Sequence, residues 1–127
     1  MVINDPATLA GATAAFAEYE RALMANDLDA LDALFWHDGL TVRFGPGQNL
    51  YGIEAIQAFR IGRVGGSPQR GLMRTVITSF GTDFATANTE FQRVGAPRPG
   101  RQSQCWVRFP EGWRVVSAHI SMLDEGN

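Results

Sequence analysis

Arg43 is the first residue whose chemistry matters, because it lies in a short apolar segment that is predicted to be an extended strand. Side chains alternate along a strand, so Thr41 and Arg43 share one face and Val42 and Phe44 share the other. A buried guanidinium is costly without a partner. Two roles remain open for Arg43: an ion pair with Glu90 or another internal acid, or a bidentate grip on the carboxylate of a ligand.

Tyr19 is the second candidate, and it lies on the apolar stripe of a predicted first helix. A tyrosine in that position most often belongs to the core, with its hydroxyl bonded to a backbone carbonyl. If the hydroxyl instead lies within hydrogen-bond reach of Arg43, the phenol could orient a bound anion or transfer a proton. The neighbouring positive charge would then favour phenolate character.

Four further residues are candidates for the walls of a binding pocket: Ser103, Cys105, His119 and Arg60. Ser103 and Cys105 share one face of a predicted strand but lack the sequence context of a nucleophile. His119 lies on the last predicted strand and would titrate near neutral pH, although a histidine there more often has a structural role. Arg60 ends a helical turn, where it would complement the helix dipole.

The sequence predicts neither a metal site nor a cofactor. His37 and His119 are far apart and lack ligand spacing, and the single cysteine can form no internal disulfide. The glycine-rich turn at residues 45–47 lacks the pattern of a phosphate-binding loop. No pair of carboxylates falls on an inward strand, so isomerase chemistry with an aspartate base has no obvious carrier.

The composition predicts a single soluble domain spanning residues 1–127. The chain is 45% hydrophobic and 19% charged, which suits one buried core. No apolar run approaches the ~20 residues that a helix needs to cross a membrane, and no export signal is recognisable at the N-terminus. A lone cysteine also fits a reducing compartment, so we expect a cytoplasmic protein that does not bind a membrane.

Charge is distributed unevenly along the chain. Residues 1–38 contain one arginine and seven acidic residues, whereas residues 39–127 contain ten arginines and six acidic residues. All 11 basic residues are arginine, whose planar fork suits carboxylate or phosphate. The net charge of −2 and the lack of a dense basic stripe argue against nucleic acid. We therefore expect a small anionic ligand in the second part of the chain.

Three helices and five strands are predicted to position these residues. Asp5 and Pro6 are typical of a helix start, and the helix should run to about residue 25 with Phe16, Tyr19 and Leu23 buried. A shorter helix follows Asp27. A strand over residues 40–44 and a third helix over residues 53–63 precede four β-rich stretches, at residues 73–80, 84–94, 102–109 and 113–122. This order indicates an α+β fold in which a curved, four-stranded antiparallel sheet wraps around the long helix.

The same alternation predicts an interface. We expect Gln102, Gln104 and Trp106 to lie on the outer face of the sheet, opposite the pocket. The chain should then form a homodimer or a higher homo-oligomer through that face.

Two resemblances cover the chain. The element order and the segment 112–121, in which Gly-Trp is followed by a histidine two residues before a serine, resemble the SnoaL-like, nuclear-transport-factor-like superfamily, whose cone is a cystatin-like α+β barrel. A narrower resemblance, over nearly the whole chain, is to the AtzH/HpxZ-like family. The segments that carry it are TVRFG (41–45), NLYG (49–52), AFR (58–60), FATAN (84–88) and GRQSQ (100–104).

The narrower resemblance implies a function. The family acts in the breakdown of urea-derived carboxylates, such as oxalurate and the carboxylated ureas formed from cyanuric acid, of which 1,3-dicarboxyurea is one. The implied activity is a decarboxylating amide hydrolysis without a cofactor, and the implied functional pair is Tyr19 and Arg43. Cys105 stands where we would expect threonine. The alternatives are a non-catalytic anion-binding or accessory subunit for an amidohydrolase, and a purely structural dimerising domain.

Overall fold

Three helices and six strands make up residues 1–124, the part of the chain that this computed structural model describes. Residues 125–127 of the predicted domain lie outside it. No helix of the described part is long and apolar enough to cross a membrane. The elements, in chain order, are α1 (Pro6–Ala25), α2 (Leu28–Ala33), β1 (Val42–Gly45), β2 (Gln48–Tyr51), α3 (Ile53–Gly62), β3 (Arg70–Phe80), β4 (Phe84–Arg93), β5 (Gly100–Phe109) and β6 (Gly112–Met122).

Helix α1 begins and ends where its capping residues require. The Asp5 carboxylate accepts from the Thr8 amide at 3.1 Å and from the Thr8 hydroxyl at 2.8 Å, and these bonds lower the pKa of Asp5. Pro6 occupies the first helical position, which needs no amide donor. Asn26 ends the helix in the left-handed region with φ of 51°. The predicted bounds of this helix and its buried face are confirmed.

The strands form one mixed, six-stranded sheet in the order β2-β1-β6-β5-β4-β3. Strands β3 to β6 are the four predicted antiparallel strands, but the early strand β1 joins the same sheet by pairing parallel to β6. The prediction missed β2. Gly45 pairs with Gln48, so Pro46 and Gly47 form a two-residue hairpin turn rather than a longer loop.

The two faces of the sheet differ in what covers them. Helix α1 packs on the inner face, where Ala87, Trp106 and Val115 belong to the hydrophobic core. The predicted outward position of Gln102, Gln104 and Trp106 is wrong, since these side chains are buried on the inner face with exposures of 2%, 2% and 1%. Alternation shows which residues share a face but not which face is covered, and the two polar glutamines favoured the wrong choice.

Candidate functional site

Arg43 lies on the inner face of β1, the second strand from one edge of the sheet, and its side chain is buried. It belongs to a row of four residues that are paired across neighbouring strands. In order from β1 to β4 they are Arg43, Ala118, Gln104 and Ala87. Residues in such a row point to the same side, and strands lie about 4.8 Å apart, so Arg43 and Gln104 are separated by roughly 10 Å. The two residues that flank Gln104 in this row, Ala118 and Ala87, are buried and have small side chains. This row forms the floor of the candidate site.

The guanidinium of Arg43 contacts an aromatic ring but no acid. Its Cζ lies 5.0 Å from the centre of the Phe59 ring, and its buried Nη1 has no hydrogen-bond partner among the described residues. Glu90, proposed from the sequence as its ion-pair partner, pairs across the sheet with Arg101 and is exposed. The internal ion pair with Glu90 is therefore wrong, and no other acid forms an ion pair with Arg43 among the described residues.

Helix α3 contributes two further guanidinium groups. Residues four apart lie on the same side of a helix, so Arg60 follows Ile56 toward the interior and Arg63 follows Phe59. The Arg60 guanidinium lies 4.1 Å from the Phe35 ring, and the Arg63 guanidinium lies 5.0 Å from the Phe59 ring. Arg60 is only 5% exposed, so it points into the protein rather than acting only at the helix end.

Strands β3 and β4 add the last two members of the cluster. Arg70 and Arg93 are cross-strand partners, and their guanidinium groups lie 4.3 Å and 5.6 Å from the Phe91 ring. The Glu20 carboxylate pairs with Arg70 at 2.7 Å. Glu20 therefore faces the interior, where its side chain is 16% exposed. We call Arg43, Arg60, Arg63, Arg70 and Arg93 the arginine cluster.

Electrostatics of the cluster favour an anion. Burial lowers the pKa of Arg43, and the charges of Arg70 and Arg93 lower it further. Burial lowers the pKa of Arg60 to about 10. Both groups remain charged at neutral pH. Arg70 is the one member of the cluster that has an acidic partner within the described residues, so the cluster keeps an excess of positive charge.

Tyr19 lies above the floor of the site. Its ring packs 6.4 Å from the Trp106 ring, edge to face, and 6.2 Å from the Phe35 ring. Its hydroxyl is close enough to Arg43, Arg60 and Arg63 to oppose the lowering of their pKa values. No hydrogen bond to the hydroxyl forms within residues 1–124, so the expected bond to a backbone carbonyl is absent there. The phenol is thus held by packing alone beside three guanidinium groups.

Gln102 and Gln104 are residues of the site that sequence reasoning missed. The Gln104 Oε1 accepts from the Trp106 indole at 3.0 Å, and the Gln102 Oε1 accepts from Arg70 at 3.1 Å. These bonds fix both amides so that each Nε2 is a donor, and neither donor has a partner among the described residues. The signal was Trp106, because a large aromatic residue on the same strand face indicates the buried side.

The buried groups that lack partners share one chemistry. Apart from the Ser79 hydroxyl, every such atom in the described part of the chain is an N–H donor of arginine or glutamine. Buried donors without acceptors are rare, and each costs about 1–3 kcal/mol. A ligand rich in acceptor oxygens would satisfy them. The donors are Arg43 Nη1, Arg60 Nη1, Arg63 Nε, Arg93 Nε, Gln102 Nε2 and Gln104 Nε2.

Three of the predicted wall residues lie elsewhere. Ser103 pairs with His119, and both are exposed on the outer face, since their neighbours Gln102 and Gln104 point inward. Cys105 shares that outer face and is partly exposed. Their assignment to the same pocket as Arg43 is therefore corrected. His119 instead borders a surface concavity of about 700 Å³ near Pro46.

Metal chemistry has no visible ligand set. Within residues 1–124, no three His, Cys, Asp or Glu side chains come together as a metal site requires. The groups at the candidate site are instead one phenol, two amides and five guanidinium groups. Such a set can bind and orient carboxylates, and the phenol can exchange a proton with a bound molecule.

Comparison with known proteins places the chain in context. The model of the AtzH-like family matches residues 1–126. A structure of unknown function from Pectobacterium atrosepticum, of the DUF3225 family, is 54% identical with a TM-score of 0.93, and the match covers 96% of this chain and 95% of that one. A cystatin-like fold protein from Burkholderia xenovorans is 50% identical with a TM-score of 0.92 over 97% of both chains.

More distant similarity extends only to the fold. A nuclear transport factor 2-like superfamily protein from Salmonella enterica has a TM-score of 0.75 and 21% identity, over 95% of this chain and 94% of that one. No curated protein matches the chain. The SnoaL-like, nuclear-transport-factor-like fold predicted from the sequence is confirmed, with six strands in a mixed sheet instead of five.

Proposed function

This chain belongs to the AtzH-like family, and we propose that it is an enzyme for the decarboxylating amide hydrolysis of a small urea-derived carboxylate, 1,3-dicarboxyurea or an oxalurate-like molecule. The observation that carries the proposal is the set of buried N–H donors without acceptors in and beside the arginine cluster. Carboxylate and carbonyl oxygens are acceptors, and a carboxylate brings the negative charge that the cluster lacks.

Arg43 anchors the substrate in this proposal. It is buried, it has an unpartnered Nη1, and its planar guanidinium can hold both oxygens of one carboxylate. The ring of Phe59, 5.0 Å from the guanidinium, supports its orientation. Arg60 and Arg63 then neutralise the remaining charge of the ligand from the side of α3.

Tyr19 provides the proton. In decarboxylation of a carboxylated urea, the bond between the urea nitrogen and the carboxyl carbon breaks, carbon dioxide leaves, and the electron pair stays on nitrogen. That nitrogen must take one proton, for which the Tyr19 hydroxyl is the donor, and the phenol recovers its proton from solvent. Burial of the site aids the reaction. Water stabilises the charged carboxylate of the substrate more than it stabilises the transition state that leads to neutral carbon dioxide, so removal of water lowers the barrier. Hydrolysis of the same bond would consume one water and give bicarbonate.

The test is turnover by the purified protein. We expect release of carbon dioxide from 1,3-dicarboxyurea without release of ammonia, and we expect Arg43→Lys to abolish most of it while the far-ultraviolet circular dichroism spectrum stays unchanged. Oxalurate carries its carboxylate on a carbonyl carbon, so it is assayed in parallel for hydrolysis to urea and oxalate, which consumes one water, rather than for carbon dioxide. Binding of these compounds without turnover would contradict the enzyme and favour the accessory anion-binding subunit.

A further inference from the structure

Gln102 and Gln104 lie on the inner face and provide uncharged hydrogen-bond donors, whereas the donors of the arginines are charged. Both side chains are 2% exposed, and each is fixed through its oxygen by a neighbouring side chain. What each amide presents is an uncharged pair of N–H bonds at Nε2, without a partner among residues 1–124. Because the amides are held from one side, their donors have a fixed direction.

The position of Gln104 relative to Arg43 sets what these donors can reach. The two residues lie in one row of the sheet with Ala118 between them. Alanine has the smallest side chain that can stand between them, so a ligand lying over Ala118 would touch Arg43 with one end and Gln104 with its middle. Gln102 lies two residues along β5, and its cross-strand partners are Thr89 and Ile120. The Cα atoms of the two glutamines are therefore about 7 Å apart along the strand, and their long side chains let both amides approach one point above the inner face.

Guanidinium groups lie at both ends of this row of residues. Arg43 lies on β1 at one end of the row, and Arg60 and Arg63 lie beside it on the rings of Phe35 and Phe59. Arg70 and Arg93 lie on the Phe91 ring at the other, next to Gln102. Charged carboxylates have guanidinium partners at both ends, so the neutral amide donors lie where an uncharged acceptor is the better match.

We infer that the amide nitrogens of Gln104 and Gln102 bind an uncharged carbonyl oxygen that lies between the anionic groups of the ligand. This deepens the proposed function, on which it rests through the assumption that the arginine cluster binds carboxylate. Gln104 is the nearer donor to Arg43, and Trp106 is its positioning residue. As carbon dioxide leaves a carboxylated urea, charge passes to the nitrogen and the adjoining carbonyl oxygen, and fixed donors at that oxygen stabilise it.

The inference is tested by binding rather than by activity. The probes are glutarate and freshly dissolved 3-oxoglutarate, two dicarboxylates of the same length that differ in a central carbonyl oxygen. We expect calorimetry to show about tenfold tighter binding of 3-oxoglutarate by the wild-type protein, a ratio equivalent to about 1.4 kcal/mol. Equal affinity for the two probes would overturn the inference.

Variants at Gln104 assign the preference to the amide. Gln104→Met should reduce the ratio of the affinity for 3-oxoglutarate to the affinity for glutarate to about twofold or less, and the affinity for glutarate should stay unchanged. Gln104→Glu keeps an acceptor for Trp106, removes the amide donors and adds a negative charge, so it provides a second test if the methionine variant does not fold. The added charge weakens binding of both dianionic probes, but the ratio of their affinities should still approach one. Ser103→Ala, between the two glutamines on the outer face, is the matched control and should keep the full ratio.

The outcomes separate this inference from the proposed function. A preference that survives both Gln104 variants would overturn the role of the amides. If the preference for 3-oxoglutarate depends on Gln104 but the protein has no turnover, the role of the amides is supported and the proposed enzymatic activity is contradicted. Failure of the wild-type protein to bind either probe would count against both.

Discussion

The guanidinium of Arg43 forms no ion pair with an acid among the described residues, so its replacement breaks no internal ion pair there. Arg43→Lys keeps the charge but removes the planar fork, so we expect turnover to fall about a hundredfold with the fold retained. Arg43→Met should raise the free energy of unfolding by about 1–3 kcal/mol, because a buried donor without a partner disappears. Urea denaturation beside steady-state kinetics measures both. A lower melting temperature with normal activity in Arg43→Lys would show a structural role instead.

Tyr19→Phe tests the phenol separately from its ring. The hydroxyl makes no hydrogen bond within the described residues, so its removal should not lower the free energy of unfolding. If it delivers a proton, turnover should fall by about a hundredfold or more. A fully active Tyr19→Phe protein would remove the catalytic assignment and leave Arg43 as a binding residue.

Anion affinity should not depend on pH near neutrality. Burial lowers the pKa of Arg60 only to about 10, so this group is protonated in both the folded and the unfolded protein at pH 6–8.5. Its effect on stability changes only above about pH 10, where the folded form releases its proton before the unfolded form does and stability rises with pH. Both histidines are exposed, and His119 lies on the outer face. Glutarate titrations from pH 6 to 8.5 should give one affinity; a step that vanishes in His119→Ala would contradict this.

Part of the site could be predicted from the sequence, and the rest depends on which strands pair and in which register. Arg43 could be singled out because an arginine in an apolar strand is unusual, whereas the helical stripe predicted only that Tyr19 is buried. The functional role of Tyr19 was implied by the family resemblance. Arg70 and Arg93 come together only because β3 and β4 pair in one particular register. Local patterns do not encode that register. Gln102 and Gln104 were seen but assigned to the wrong face.

At the scale of elements, Gly100 is where β5 passes the Phe91 ring. A β-carbon on Gly100 would overlap that ring, which carries the guanidinium groups of Arg70 and Arg93. We expect Gly100→Ala to destabilise the protein by about 1–3 kcal/mol and to weaken glutarate binding, since the ring must move. Gly71→Ala is the control, because nothing lies within 4 Å of a β-carbon there. Equal stability of the two variants in urea would contradict this account.

The helices were easier to predict than the strand order. Capping by Asp5 and Asp27 is local, and both caps form as expected. Strand β2 was missed because it has only four residues, and its polar Gln48 and Asn49 do not favour strands. The parallel pairing of β1 with β6 is a long-range contact, which no local pattern specifies.

For the whole molecule, the outer face of the sheet remains our candidate for a homodimer interface. Its residues differ from those first expected: Asn88, Ser103 and His119 lie in one exposed row. A bulky charge at the centre of that row, Ser103→Arg, should yield monomers, whereas Thr82→Arg in the exposed turn between β3 and β4 should not. Light scattering at micromolar concentration measures the mass. A monomeric wild-type protein would contradict the dimer.

The parallel pairing of β1 with β6 also orders events during folding. Val42 meets Ser117 on β6, so on the ribosome β1 can first pair only with β2 and joins the rest of the sheet after β6 has been made. The hairpins of β3 to β6 can form earlier from contacts that are closer in sequence, since short loops close faster than long ones. Arg43 would then be among the last residues to dock. A nascent chain would acquire its sheet before it could hold an anion.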